Sequence, residues 1–151
     1  MLNWTKKEGL LLIKEKDVIR MKVPFPNINA GLALQAHMYI CGKDKSPDYG
    51  FIKCQTLKPQ MLGSKIFTHY IDEPADPARN PFGRTSRIDC DKFFVTTSVE
   101  YDEKLKTTSR PDVCDELYVR VKRELAADGY KTVFLNEDEL VLLNALIKKI
   151  I

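Results

Sequence analysis

Two side chains are candidates for proton transfer, and one basic group is a candidate for holding an anion. His37 follows the uncharged stretch Asn27 to Gln35 and shares a strand-like run with Tyr39 and Cys41. An imidazole titrates near neutral pH and serves as acid or base. The alternative for His37 is a half-buried ring hydrogen-bonded to backbone. Thr56 closes the run Phe51-Ile52-Lys53-Cys54-Gln55-Thr56, where alternation puts Ile52, Cys54 and Thr56 on one face and leaves the hydroxyl at a rim. Such a hydroxyl positions or donates a hydrogen bond but is a poor base by itself, and a rim threonine is also ordinary strand composition. Arg79, Arg84 and Arg87 surround Phe82. Basic residues interleaved with an aromatic can hold phosphates and stack a base; equally, they form the solvated end of a loop. Asp89 and Asp91 alternate with Ile88 and Cys90 and read as outward-facing acids. His69 has the weaker claim of the two histidines, whose separation gives no metal-ligand spacing. No phosphate loop, dinucleotide fingerprint, nucleophile elbow or zinc signature is present, so neither metal nor cofactor is expected.

The elements that must position these groups read mostly as strands. Val18 to Val23 alternates Val18, Arg20 and Lys22 against Ile19, Met21 and Val23, which puts one row in a core and the other in solvent. Pro24 and Pro26 cannot donate to a ladder, so the strand stops or turns there. Ala36 to Cys41 is a second strand, with Gly42 to Asp48 as turn and loop. Tyr49 to Leu57 is a third, Lys65 to Ile71 a fourth, and Arg84 to Thr97 a fifth. Between the last two, Asp72 to Gly83 is irregular, with Pro74, Pro77 and Pro81.

Helices follow. Ser109-Arg110-Pro111-Asp112 carries N-cap chemistry ahead of Val113, Leu117, Val121 and Leu125, which recur every four residues, and Gly129 can close that helix. Tyr130 to Leu135 is a candidate short strand, after which Asn136 and Glu139 repeat the cap pattern. A final helix then carries Leu140, Leu143 and Ile147 on one stripe, widened by Leu142, Leu146 and Ile150. That stripe covers the sheet or, alternatively, also packs against a second subunit. The whole is mainly β with helices: a small barrel over about 16–97 and two helices over 109–151, one domain across 1–151.

Composition bounds the class. The 151 residues are 44% hydrophobic and 30% charged, ordinary values for a folded chain rather than a disordered one. The formal charge of +3 permits an acidic partner such as RNA without requiring one. No apolar run approaches the about 20 residues that span a bilayer, and Leu10 to Ile13 is too short for a signal peptide, so a cytoplasmic protein with no membrane association is expected. Cys41, Cys54, Cys90 and Cys114 are widely spaced without a Cys-x-x-Cys pair and read as buried free thiols.

Three segments carry a resemblance. Val18 to Pro26 is similar to the opening strand and proline corner of the MazF/PemK-like toxins, and Phe51 to Thr56 to the strand that ends in their catalytic threonine or serine. Ser86 to Val95 is similar to their strand with serine, aspartate and an apolar ending, and Arg110 to Leu125 stands where their helix follows. The resemblance implies an SH3-like barrel, a homodimer, and metal-independent cleavage of single-stranded RNA controlled by a small acidic antitoxin protein. Thr56 and His37 would then be catalytic, with Arg79, Phe82, Arg84 and Arg87 on the RNA. The chain departs from the pattern at Leu34-Gln35-Ala36-His37-Met38-Tyr39-Ile40, which has neither the family's arginine nor its proline. That departure favours the alternative of a non-enzymatic protein-interaction module on the same barrel; a third reading is an unrelated role on a coincidentally similar fold.

Overall fold

A central hairpin organises the molecule, for which the computed structural model describes residues 13–63, 65–127 and 129–150. Strands β2 (His37–Lys45) and β3 (Asp48–Thr56) pair antiparallel with Tyr39 opposite Lys53 and Ile40 opposite Ile52. The expected loop after Cys41 is instead strand continued to Lys45. A bulge between Cys41 and Lys43 absorbs Gly42, and the polar run Lys43 to Lys45 extends the hairpin past the core. Strand β1 (Val18–Met21) pairs with β2, and the short helix α1 (Gly31–Leu34) follows the proline corner.

The other edge of β3 holds two partners in succession. Tyr49 to Phe51 pairs with β6 (Lys92–Thr96), and Cys54 to Thr56 pairs with β5 (Ser86–Asp89). The sequence reads as one strand here; the structure breaks it at Cys90 and Asp91. The break lets β5 take β4 (Tyr70–Glu73) as an antiparallel neighbour while β6 takes β8 (Lys131–Phe134) as a parallel one. It also moves the start of β4. Thr68 and His69 give their amide N–H groups to the Asp91 carboxylate at 2.8 and 2.9 Å, so strand pairing begins only at Tyr70 rather than Lys65.

The ladders run β1-β2-β3-β5-β4, with β6 attached to β3 and β8 attached to β6, and they do not close into a ring. The outer edge of β1 is covered by the segment after β7 (Val99–Tyr101): Ile19 bridges Lys106, and the Thr107 N–H donates to the Val18 carbonyl at 2.9 Å. Strand β7 pairs with β9 (Ile147–Lys149) in a separate two-stranded sheet. Among the described residues no helix is long and apolar enough to cross a membrane.

Both faces of the main sheet are covered, which explains why Val18 is buried although alternation sends it outward. Helix α2 (Asp115–Ala127) lays Leu117, Val121 and Leu125 over Val18, Ile40, Ile52 and Ile88. On the opposite face Leu140 of α3 (Glu137–Leu143), together with Val99, Tyr101 and Ile147, packs with Ile19, Tyr39, Phe51 and Phe94. The first turn of α2 starts later than Ser109 to Asp112 implies. Residues up to Val113 are held in extended pairing, with the Val113 N–H on the Lys16 carbonyl, and the Leu117 N–H reaches the Cys114 sulfur at 3.5 Å. Helix α3 starts as expected, the Asn136 side chain accepting from the Glu139 N–H at 3.1 Å. It ends earlier than the apolar stripe suggests. The Asn144 side-chain amide donates to the carbonyls of Leu140 and Lys22, both at 2.8 Å, and its oxygen accepts from the Lys22 N–H at 2.9 Å. Ile147 is thereby delivered to β9 opposite Tyr101.

Candidate functional site

The face under α3 changes character along the hairpin. Directly opposed residues of an antiparallel pair share a face, and residues two apart along a strand share it too. Tyr39 and Lys53 are therefore on one face with His37 and Gln55 beyond them, and apolar packing gives way there to amide, imidazole and ammonium groups. The Lys53 ammonium lies 3.5 Å from the Asp89 carboxylate, and the Lys92 ammonium lies 3.4 Å from the same oxygen. Asp89 is fully buried, its other oxygen accepting from the Asp91 N–H at 2.9 Å, and Lys53 is only 9% exposed. Two ammonium groups thus share one carboxylate, leaving a surplus of positive charge in a place poorly reached by water. Burial pushes the Lys53 pKa below the ordinary lysine value; Asp89 opposes the shift and Lys92 adds to it.

His37 borders the same ground. Its Nδ1 lies 3.0 Å from the Gln35 carbonyl oxygen, which can only accept, so in this bond Nδ1 carries the proton and the neutral ring keeps its lone pair on Nε2. Half-burial lowers the His37 pKa. The Gln35 bond works against that shift, and the positive charges of Lys53, Lys58 and Arg20 reinforce it. The imidazole is consequently neutral at physiological pH and able to accept a proton. These groups converge on a cleft of about 510 Å³ walled by His37, Lys53, Gln55, Lys58 and Lys92, with the Phe25 ring at its apolar end. Its chemistry suits an anion carrying a flat or apolar portion.

Thr56 is exposed at the end of β3, opposite Ser86 and on the face of Cys54, which is the face opposite that of His37. The two residues still meet around a smaller hollow of about 390 Å³ that wraps the strand end beside Gln60 and Phe67. The other expected residues are dispersed. Arg87 is 3% exposed: Nε and Nη2 donate to the two Asp72 oxygens at 2.8 and 2.9 Å, and Nη1 donates to the Met61 carbonyl at 3.0 Å. Its guanidinium lies 3.8 Å from the centre of the Tyr70 ring. Arg79 bridges Glu73, at 2.7 Å, and Glu116, so it fastens β4 to α2. Phe82 is buried in the core under α2, while Arg84 is exposed.

Lys53, Asp89 and Lys92 are the residues that strand alternation hides. Asp89 reads as a solvent-facing acid because it alternates with Ile88, yet β5 is buried along its whole length. One signal was present. Lys53 interrupts the otherwise apolar run Phe51 to Cys54, and a lysine in such a run needs a buried counter-charge. Among the described residues no group of three or more His, Cys, Asp or Glu side chains is arranged to hold a metal ion.

The chain matches no family model, and it has no significant match among the curated proteins or the solved structures.

Proposed function

We propose that the protein binds single-stranded RNA in the Lys53–Lys92 cleft and cuts it without a metal, as a MazF/PemK-like toxin on an SH3-like barrel plan. The observation that carries this reading is the pair of ammonium groups, buried Lys53 and half-buried Lys92, sharing the buried Asp89 carboxylate beside a neutral imidazole. A phosphodiester placed there supplies the missing negative charge. The chemistry is then transesterification. His37 Nε2 takes the proton of the ribose 2′-hydroxyl, whose oxygen attacks the adjacent phosphorus. Lys53 and Lys92 face the charge that builds on the phosphoryl oxygens, and the P–O5′ bond breaks to leave a 2′,3′-cyclic phosphate. The 5′-oxygen takes its proton from the Lys53 ammonium, which burial makes a better acid than an exposed lysine. Thr56 serves as a hydrogen-bond group at the strand end, and exposed Arg84 meets the strand further out. What supports the barrel plan is the antiparallel run β1-β2-β3-β5-β4 and the covering of the outer edge of β1 by the segment after β7.

A second reading places a protein on the same scaffold instead of RNA, whether a second copy or a small acidic antitoxin. What favours it is the edge of β8, which among the described residues pairs only with β6 and where Phe134 is 74% exposed. Incubation of the purified protein with a mixed RNA substrate in EDTA separates the two. The RNA reading expects cuts ending in cyclic phosphate, reduced by about 10²-fold or more in His37→Gln and Lys53→Met. Intact RNA at high protein concentration, or cutting that both variants retain, contradicts it.

A further inference from the structure

A second hollow, of about 430 Å³, lies across Lys92 from the first, bordered by Thr68, His69, Asp91, Lys92 and Lys131. Lys92 is the wall common to both. Lys92 and Lys131 are direct partners in the parallel β6–β8 ladder, two residues before the pair Phe94 and Val133 whose side chains join the core under α3. Both lysines therefore project on the face that carries His37 and Lys53. The result is a row of ammonium groups crossing the strands: Lys53 on β3, Lys92 on β6 and Lys131 on β8.

One carboxylate stands in the second hollow, and its charge is already faced by donors. Asp91 accepts the N–H groups of Thr68 at 2.8 Å and His69 at 2.9 Å, the Thr68 hydroxyl, and the His69 ring nitrogen at 3.3 Å. Burial disfavours its charged form, but these bonds outweigh that and hold its pKa below the usual carboxylate value. Asp91 stays ionised, and Lys92 with the exposed Lys131 outnumber it two to one along this hollow, while the donors around Asp91 occupy its oxygens.

We propose that the two hollows are consecutive subsites of one track, the second holding the phosphate next to the one held over Lys53 and Lys92. This rests on the RNA reading of the first cleft. It fixes the ligand class as a strand with at least two adjacent phosphates rather than a mononucleotide. The test is fluorescence anisotropy with 2′-O-methyl ribonucleotides, which bind without being cut, comparing a labelled 5′-mononucleotide with a 5′-phosphorylated dinucleotide. Wild-type protein should bind the dinucleotide about tenfold more tightly. Lys131→Gln, an exposed and structurally mild change, should remove that gain, leave the mononucleotide unaffected, and lower the salt slope by about one. A dinucleotide that binds no more tightly, or a Lys131→Gln protein that keeps the gain, overturns the second subsite while the first stands. Failure of both ligands to bind overturns the phosphate reading and the track with it.

Discussion

His37 and the four cysteines show how burial sets reactivity one side chain at a time. The His37 pKa lies below the ordinary imidazole value, so between the two values the unfolded chain takes the proton and the folded one refuses it. Its contribution to stability is complete above the ordinary value and is lost as pH falls through it toward the folded value. Urea midpoints at pH 7.5 and 5.5 should therefore fall further for the wild-type protein than for His37→Gln; an equal fall contradicts the lowered pKa. The thiols follow the same physics. Burial pushes Cys41 and Cys54 far above the ordinary thiol range and Cys90 up to about 12, whereas Cys114 is only half-buried at the start of α2. Iodoacetamide under native conditions should label Cys114 first, read by peptide mass spectrometry. Faster labelling of Cys54 or Cys90 contradicts the packing under α2.

Elements were legible where a local pattern decides them. Val113, Leu117, Val121 and Leu125 announced the buried face of α2, and Asn136 with Glu139 announced the start of α3. The remainder depended on partners distant in sequence. Nothing local says that Asp91 will take the amides of Thr68 and His69 and so break one strand into β5 and β6. Nor does the stripe through Ile147 reveal that Asn144 will bond Lys22, 122 residues away, and stop α3. The site was half legible for the same reason. His37 and Thr56 could be picked out by chemistry and position, but Lys53, Asp89 and Lys92 become a unit only when β3, β5 and β6 are laid side by side. One close approach tests that arrangement. A Cβ at Gly50 would lie 2.1 Å from the Phe93 ring, and one at Gly42 would lie 2.9 Å from it. Gly50→Ala must push that buried ring aside and should cost about 1–3 kcal/mol in chemical denaturation, with part recovered in the Gly50→Ala, Phe93→Leu double variant. A neutral Gly50→Ala contradicts the β3–β6 packing.

At the scale of the molecule, a net charge of +3 is too small to mark a polyanion binder, and what matters is where the cations stand. Arg87 and Arg79 are consumed in fastening β4 to its neighbours, while Lys53, Lys92 and Lys131 line one sheet face beyond the cover of α3. That placement converts a mildly basic chain into one with a concentrated positive cleft. The most direct test of the cleft is an NMR titration of the His37 ring with a ribonucleoside 5′-monophosphate. The free protein should titrate His37 below the ordinary imidazole value, and bound phosphate, bringing negative charge next to the ring, should raise that value with saturation. A His37 titration that starts at or above the ordinary value, or that stays fixed while the nucleotide binds elsewhere, contradicts the account.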